Sequence, residues 1–336
     1  MAADLSPERI LALGFGYWDS KALLSAVELA LFSALADAPT DAGSLAARLG
    51  IDARGARDFF DALVALGVLE RKDGVYRNTP SSDLYLDRNK PSYLGGFFEM
   101  ASVRGYPLWG SLTEALKSGK PQSEAALGDS FYDALYADRQ RLGGFMRAMS
   151  GLSRPSAQAL ATRFPWKDYS TFVDVGCAEG QCAVTIAAAH PHLTGWGFDL
   201  PQVGPIFDET VAGQGLGGRL KFVAGDFFAG VLPDADAFVM GHVLHNWDLA
   251  QKRELVAKAF AALPEGGALV AYDAMIDEER RDNTFALLMS LNMLINTSGG
   301  FGYTASECMG WMREAGFQNT RAEPLVGSDT MVVGIK

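Results

Sequence analysis

The stretch Phe172-Val-Asp-Val-Gly-Cys-Ala-Glu-Gly180 places its glycines between an alternating apolar run and the good helix formers of residues 183–189. This order of strand, glycine turn and helix is typical of the ligand-binding turn of a Rossmann-like α/β fold. Gly176 and Gly180 let the backbone bend sharply and approach a ligand without a Cβ, and the helix start behind them presents unpaired N–H groups. Glu179 in the same turn would repel a pyrophosphate, so we predict a cationic ligand.

Two further acidic residues follow at the ends of the next two predicted strands. Asp199 lies in Gly197-Phe-Asp-Leu200, about 20 residues after the glycine turn, where a carboxylate can bind a ribose diol. Asp226 lies in Gly225-Asp-Phe227 and could accept a hydrogen bond from an adenine amino group. Each signal is weak alone, but their recurrence at consecutive strand ends predicts one pocket for a nucleoside-like cofactor.

Four stretches resemble the S-adenosylmethionine-dependent O-methyltransferases of the caffeic-acid and acetylserotonin type: residues 172–180, 197–201, 225–228 and 240–247. The likeness covers nearly the whole chain. It implies that Gly176 holds the methionine part of the cofactor, Asp199 the ribose and Asp226 the adenine. The implied cofactor site also includes Asp174, Gly180, Leu200, Phe227, Met149 and Ser153. The cofactor would be S-adenosyl-L-methionine, with S-adenosyl-L-homocysteine as the product.

The resemblance also implies a catalytic base. A neutral phenol, with a pKa near 10, is a poor nucleophile, and a histidine is mostly neutral at pH 7 and able to accept its proton. His245, in Gly241-His-Val-Leu-His-Asn-Trp247, matches the catalytic histidine of the family. Asp273 matches a family acid shortened by one carbon and is expected to orient His245. The alternative is that His245 is a helix-cap or core residue. For His242 we expect a packing role.

The chain departs from the family pattern at three positions. Gly302 stands where the family has a second acid, Gly241 where it has a lysine, and Asn246 where it has an aspartate after the histidine. One support of the base is therefore missing. The alternatives that remain are methylation of carbon, nitrogen or sulfur, or a repurposed reaction on the same fold. A metal-assisted reaction would need ligands converging near His245, which Asn246 disfavours, so we expect no metal.

The acceptor is expected to be a small aromatic or polyketide-like metabolite. Phe145 and Met146 lie in a helical region rich in aromatic residues and methionine, which suits a flat substrate, although such residues are more often core. Asn292 and Asn296 are one helical turn apart and could bind a substrate hydroxyl or carbonyl. As solvent-facing or capping residues they would have no such role.

We predict three parts along the chain. Residues 1–92 show helices followed by a hairpin turning at Asp73-Gly74, which is a winged-helix pattern, and the resemblance implies that this domain makes a homodimer. Residues 93–165 would link the domains and roof the substrate pocket. Residues 166–336 would form the α/β domain, a Rossmann-like seven-stranded methyltransferase sheet. Its strands are expected near residues 171–175, 194–199, 220–224, 236–241, 267–273, 318–323 and 329–335, the last two antiparallel.

Charge argues against nucleic acid as a partner. The chain has 336 residues and a net charge of −11, and residues 1–90 contain ten Lys or Arg and thirteen Asp or Glu. Phosphates would be repelled, which disfavours a cofactor-sensing winged-helix regulator and binding to an anionic membrane surface. No stretch offers the ~20 apolar residues that span a bilayer. We expect a cytoplasmic protein, with its three cysteines in neither a disulfide nor a zinc site.

Overall fold

The computed structural model describes residues 6–123, 125 and 139–336. The chain divides into two compact units, Met1–Pro107 and Leu108–Lys336. Helices of the expected linking segment, residues 93–165, are found in both units, and residues 124 and 126–138 of that segment lie outside the described part. The boundaries at residues 92 and 165 stay predictions.

The first unit packs helices around a small antiparallel sheet. Its helices are α1 (Glu8–Glu28), α2 (Leu31–Asp37), α3 (Ala42–Leu49), α4 (Ala53–Ala65), α5 (Pro80–Leu86) and α6 (Gly95–Met100). A π-helical turn, Ala101–Gly105, leads into α7 (Tyr106–Trp109), which crosses the boundary between the units. The sheet has the order β1 (Thr40–Asp41), β3 (Val75–Asn78), β2 (Leu69–Lys72).

The predicted helix–helix–hairpin pattern is confirmed in this unit. Asp73 and Gly74 both have positive φ, +52° and +78°, as a two-residue hairpin turn requires. The helical spacing of apolar residues over 20–36 predicts one helix there, but the structure divides this stretch between α1 and α2. Ala30, at φ +54°, separates α1 from α2, and this bend allows Leu31 to be fully buried in the core of the unit.

The second unit contains a seven-stranded sheet in the order β6-β5-β4-β7-β8-β10-β9. The strands are β4 (Thr171–Val175), β5 (Thr194–Asp199), β6 (Leu220–Ala224), β7 (Ala237–Gly241), β8 (Ala268–Ala274), β9 (Asn319–Val326) and β10 (Asp329–Ile335). Strands β4 to β8 are parallel to one another, whereas β10 is antiparallel to both β8 and β9. This confirms the Rossmann-like α/β fold and the antiparallel final pair.

Helices cover both faces of this sheet, so its central strands are almost entirely buried and mostly apolar. The helices are α8 (Leu112–Ser118), α9 (Arg139–Arg163), α10 (Gln181–Ala189), α11 (Gly204–Gly213), α12 (Leu249–Ala262), α13 (Thr284–Asn296) and α14 (Ala305–Ala315). Alternate strand residues join different cores. Phe172 packs with residues of α9, α10 and α11, and Val173 packs with residues of α12 and α14.

Strand β9 extends further than predicted. We expected residues 324–328 to form the connection to β10, but β9 continues through Pro324 to Val326, and Pro324 pairs with Thr330 next to a register irregularity. Proline lacks an N–H and is tolerated in a strand only at an edge or a bulge, and β9 is an edge strand of the sheet.

None of the helices in the described ranges combines the length and apolar character needed to cross a membrane. The three cysteines are free and buried.

Candidate active site

The carboxyl ends of the parallel strands β4 to β8 meet at one edge of the sheet, as parallel strand ends do. Strands β5 and β6 lie on one side of β4, and β7 and β8 lie on the other. The order in which the strands are added across the sheet therefore reverses at the boundary between β4 and β7. Open α/β sheets bind ligands at such a point, outside the carboxyl ends of the strands. Strand β10 runs the opposite way, so its first residue, Asp329, lies at this same edge.

The glycine turn connects β4 to α10 and needs its glycines. Gly176 and Gly180 have φ of +71° and +85°. A Cβ on Gly176 would lie 2.9 Å from Val243 Cγ2, and one on Gly180 would lie 2.6 Å from the ring of Phe207. Ala178 also has positive φ, +47°, and its N–H donates to Asp199 Oδ2 at 3.0 Å. The turn is therefore fixed to the end of β5.

Asp199 lies where the sequence predicted a ribose ligand. Its Oδ1 accepts from the N–H of Leu200 at 2.8 Å and its Oδ2 from Ala178, so two backbone groups orient a carboxylate that is 8% exposed. Asp226, after β6, is exposed and accepts from the N–H of Phe228 at 2.8 Å. A ligand lying along this edge would meet both acids in order, as expected for a nucleoside.

Phe227 belongs to an aromatic cluster beside Asp226. The rings of Phe227 and Phe228 lie 5.7 and 4.7 Å from the ring of Trp247. Lys258 Nζ donates to the carbonyl oxygen of Phe227 at 2.8 Å, which holds the loop after β6 in place.

Asp174 lies beneath the glycine turn, with only 3% of its surface exposed. Its Oδ2 accepts from the N–H of Ala183 at 3.2 Å, so the carboxylate caps the first turn of α10. Burial raises its pKa to about 7, against that hydrogen bond, and the neighbouring charge of Asp199 adds to the rise. These contacts make Asp174 a support of the turn.

His245 and Asp273 are brought together as expected. His245 Nδ1 lies 2.6 Å from Asp273 Oδ1, and the hydroxyl of Tyr303 donates to Asp273 Oδ2 at 2.7 Å. Asp273 is 1% exposed. Burial alone would raise the pKa of this carboxyl, but the charge that His245 can carry and hydrogen bonds from both nearby histidines hold it well below its usual range. Asp273 therefore stays ionised beside His245.

His242 does more than the packing role we expected, so that prediction is wrong in part. Its ring does pack edge-on against Tyr272, with centroids 5.1 Å apart. However, its Nδ1 lies 3.4 Å from Asp273 Oδ1 and its Nε2 lies 3.2 Å from Asp329 Oδ2. Burial opposes a charge on His242, but hydrogen bonds to the two acids raise its pKa to about 10. Reasoning from the sequence missed Asp329 and Tyr303, because only the sheet topology brings them here.

The three departures from the family pattern have physical reasons. At Gly241 a Cβ would lie 2.2 Å from Cζ of Tyr272, so the Tyr272 ring fills the space of a side chain. Asn246 donates from Nδ2 to the carbonyl oxygens of His242 at 3.0 Å and Val243 at 3.2 Å, which an aspartate could not do. At Gly302 a Cβ would lie 3.0 Å from Cβ of Ser290 and 3.1 Å from Cδ1 of Ile276, so a side chain there would crowd its neighbours.

The ligand atoms of His242, His245 and Asp273 lie within 4.8 Å of one another, so potential metal ligands do converge near His245, which we did not expect. Two ligands held tetrahedrally at ~2.0–2.1 Å from zinc are about 3.3 Å apart. His245 Nδ1 and Asp273 Oδ1 are closer, at 2.6 Å, which fits a shared proton better than a shared ion. The absence of a metal stays a prediction.

The residues expected to contact cofactor or substrate on α9 differ in exposure. Met146 is 1% exposed and belongs to the core with α10, whereas Phe145 is half-buried and packs against that core. Met149 and Ser153 are also half-buried and precede Ser156 on the helix. The hydroxyl of Ser156 donates to Asp329 Oδ2 at 2.5 Å, which ties α9 to the active-site edge.

Asn292 and Asn296 bond to each other on α13. Asn296 Nδ2 donates to Asn292 Oδ1 at 3.1 Å, and Trp109 Nε1 donates to the same oxygen at 3.1 Å. Asn296 is 8% exposed, whereas Asn292 is half-buried. Of the pair, Asn292 is the one better placed to reach a bound molecule.

Comparison with known proteins gives two family matches. Residues 109–318 match the O-methyltransferase domain, and residues 11–88 match the O-methyltransferase dimerisation domain. The tetracenomycin polyketide synthesis 8-O-methyl transferase TcmO of Streptomyces glaucescens is 44% identical over 331 residues, covering 98% of this chain and 97% of that protein. The N,N-dimethyltransferase OxyT of Streptomyces rimosus is 40% identical, with coverage of 97% and 96%.

A third relative is the 3-hydroxy-5-methyl-1-naphthoate 3-O-methyltransferase of Streptomyces sahachiroi, which is 35% identical over 98% of this chain and 95% of that protein. Among solved structures, PigF with S-adenosylhomocysteine superposes with a TM-score of 0.89 at 30% identity, covering 99% of this chain and 100% of that chain.

The fold, the glycine turn and the acids that follow it define a methyltransferase that uses S-adenosylmethionine. With both family matches, the chain belongs to the O-methyltransferase family and is an S-adenosylmethionine-dependent O-methyltransferase that carries the family's dimerisation domain.

Proposed function

We propose that this enzyme methylates a phenolic hydroxyl of a polycyclic aromatic polyketide, with His245 as the general base. The observation that carries the base role is the 2.6 Å separation of His245 Nδ1 and Asp273 Oδ1. Because Nδ1 donates to the carboxylate, Nε2 of the neutral ring is the acceptor nitrogen. The names of TcmO and of the naphthoate enzyme support the aromatic polyketide acceptor.

The residues would act as follows. S-adenosylmethionine, when bound, supplies a methyl group on a sulfonium and leaves as S-adenosylhomocysteine. His245 accepts the hydroxyl proton at Nε2 while the new bond between oxygen and the methyl carbon forms. Asp273 holds the ring in the required tautomer and stabilises the positive charge that the proton brings to it. Tyr303 donates to the other oxygen of Asp273, which fixes the carboxylate.

We infer that the cofactor lies along the edge formed by the glycine turn and the ends of β5 and β6. The fit is supported by the left-handed backbone of Gly176 and Gly180, where side chains would collide with neighbours, and by the oriented carboxylate of Asp199. Glu179 in the turn suits a cationic sulfonium. Leu200, Asp226, Phe227, Met149 and Ser153 would complete the site, with Asp174 supporting it from below.

A second candidate is methylation of an amine, because the N,N-dimethyltransferase OxyT is 40% identical. A neutral amine already has a lone pair and needs no base to expose it. The His245–Asp273 pair favours a hydroxyl, since a phenol must lose its proton. The requirement for His245 therefore distinguishes the two acceptors.

We also infer that the enzyme is a homodimer formed by its first unit. The match to a dimerisation domain supports this, as does the apolar surface of α1, on which Ile10 and Leu13 are 73% and 76% exposed.

The test is transfer of an isotopically labelled methyl group from S-adenosylmethionine to a panel containing emodin, a hydroxynaphthoate, an aromatic amine and a thiol. His245→Ala should lower turnover of a phenol by ~10²–10⁴-fold. Cofactor affinity, measured by calorimetry, should be unchanged because no cofactor residue is altered. His192→Ala is the matched control. The contacts described for His192 are with the backbone oxygen of Trp166 and with the ring of His190.

Label on an oxygen that is lost in His245→Ala but kept in His192→Ala would establish the base. Label on a nitrogen at the same rate in all three proteins would favour the amine candidate. Full turnover of a phenol by His245→Ala would contradict the base role.

A further inference from the structure

His242 occupies an unusual backbone position directly after β7. Its φ is +54°, a left-handed conformation that residues with a side chain rarely adopt. The conformation is held by its own N–H, which donates to the Tyr272 carbonyl at 2.9 Å, and by Asn246, which donates to its carbonyl at 3.0 Å. The surrounding chain therefore maintains a strained histidine one turn before the base.

Both ring nitrogens of this histidine face carboxylates. Nδ1 lies 3.4 Å from Asp273 Oδ1, and Nε2 lies 3.2 Å from Asp329 Oδ2. A neutral imidazole has one donor nitrogen and one acceptor nitrogen, so only the doubly protonated ring can donate to both acids. The acids are 1% and 8% exposed, and buried carboxylates need a positive partner. Its raised pKa, about 10, agrees with this arrangement.

We propose that His242 is a positioning residue that stays protonated, fixes Asp273 against His245 and, by its charge, disfavours a second charge on His245. This inference rests on the proposed role of His245 as base. The proton from the substrate goes to His245 alone, and His242 neither gives nor takes one during turnover. The positive charge of His242 also balances one of the two negative charges of Asp273 and Asp329. The second negative charge can then stabilise His245 once it has accepted the substrate proton.

Other titratable groups surround these histidines. Tyr272 packs on His242 and Tyr303 bonds to Asp273, while Cys182 interacts with Tyr272 and Cys308 with Asp273. Burial raises the pKa of each of these phenols and thiols well above its usual value, so all four stay neutral at physiological pH.

Lys252 also interacts electrostatically with Asp273. Its Nζ donates to the carbonyl of Trp247 at 2.6 Å and lies 3.2 Å from the centroid of the Phe301 ring. Burial lowers its pKa to about 8, although the charge of Asp273 opposes this. Lys252 therefore titrates near the pH range of the experiments described next. It is present in every variant compared there, so its titration is common to all of them.

The first experiment measures the pH profile of kcat/KM with emodin or whichever panel phenol is methylated. His242→Gln removes the charge but keeps a hydrogen-bonding side chain. We expect the acidic limb of its profile to move to higher pH by about one unit, because a neighbouring positive charge no longer opposes protonation of the base. His242→Arg keeps a positive charge and should leave the limb near that of the wild type.

The matched control is His190→Gln, since His190 bonds to the Ala161 carbonyl on α9 at 2.7 Å, outside the active site. Its profile should equal that of the wild type. If His242→Gln loses rate with an unmoved acidic limb, or if His242→Arg and His242→Gln move the limb equally, the charge of His242 has no role and the proposal is overturned.

A second experiment needs neither an acceptor nor a stable variant at position 242. The chain has four histidines, so nitrogen NMR of histidine-labelled wild-type enzyme can count protonated rings. We expect one doubly protonated ring at about pH 8, well above the ordinary histidine pKa of about 6.5, and the same signal in His245→Ala. Four neutral rings, or a signal lost in His245→Ala, would overturn the proposal. Failure of the panel to be methylated would contradict the proposed function but leave this count unaffected.

Discussion

Three side chains approach Asp273: Tyr303 donates a hydrogen bond to Oδ2, and His245 and His242 place Nδ1 at 2.6 and 3.4 Å from Oδ1. An ionised carboxylate has about four lone-pair sites, so it can serve all three. The tyrosine immediately follows Gly302, where the family pattern has its second acid. The segment that lacks the second acid thus supplies the Tyr303 hydroxyl, which donates a hydrogen bond to Asp273, the acid that is present.

At the cofactor edge, Asp199→Asn should weaken binding of S-adenosylmethionine by ~1.5–3 kcal/mol, because a charged acceptor of hydrogen bonds is lost. The substitution also places an amide next to the N–H groups of Ala178 and Leu200, which need acceptors. Isothermal titration calorimetry measures the affinity.

Asp236→Asn provides a matched control for that change. Asp236 Oδ2 also accepts from two backbone N–H groups, those of Ser170 and Thr171, but at the opposite end of β4. Its substitution should lower stability while cofactor affinity stays unchanged. Equal affinity for all three proteins would exclude Asp199 from the cofactor site.

At the scale of elements, the sequence predicted best where one strand carries one simple pattern. The bounds of β4, β5 and β6 were predicted correctly, since each is a short stretch that ends at, or directly before, a glycine or an acid. Strand β9 was predicted too short because proline normally marks a connection between strands. Whether a strand tolerates Pro324 depends on its position at the edge of the sheet, which the sequence alone does not give. The role of His242 was missed for a related reason, since its partner Asp329 is 87 residues away and adjoins it only through the order of strands.

The turn after β7 should not tolerate a side chain at its first residue. In Gly241→Ala the new Cβ would lie 2.2 Å from Cζ of the Tyr272 ring, and that ring is itself 2% exposed. Overpacking of this kind typically costs 1–3 kcal/mol of the free energy of unfolding. Denaturation in urea would measure the loss, and activity should fall because His242 follows directly.

Gly218→Ala is the comparison, since a Cβ there meets no atom within 4 Å. Its midpoint of unfolding should match that of the wild type. If Gly241→Ala were as stable as Gly218→Ala, the close approach of Tyr272 would have no importance for the fold.

At the scale of the whole molecule, the first half of α1 exposes large apolar side chains within its own unit. The most exposed are Ile10, Leu13, Tyr17 and Trp18, each more than half accessible. Apolar patches of this kind on a soluble protein mark interaction sites. Since this helix lies largely within the dimerisation match, a second copy of the chain is the partner that fits.

Leu13→Asp should therefore weaken the dimer, raising its dissociation constant at least about tenfold, because a buried leucine contributes ~1.5–3 kcal/mol and an aspartate would be buried unpaired. Sedimentation over a range of protein concentrations measures the constant. Val231→Asp is the control, since Val231 is 88% exposed in the second unit and should not affect assembly. A monomeric wild-type enzyme would contradict the prediction outright.

The antiparallel insertion of β10 between β8 and β9 also affects the order in which the enzyme can become complete during synthesis. The glycine turn and Asp199 are made early, whereas Asp329 belongs to the strand that is translated after every other strand of the sheet. Chains fold as they emerge from the ribosome. Because a domain generally folds as a unit and β10 lies inside this sheet, His242 can gain its second carboxylate only after the last strand has been made, so the catalytic cluster is completed at the end of synthesis.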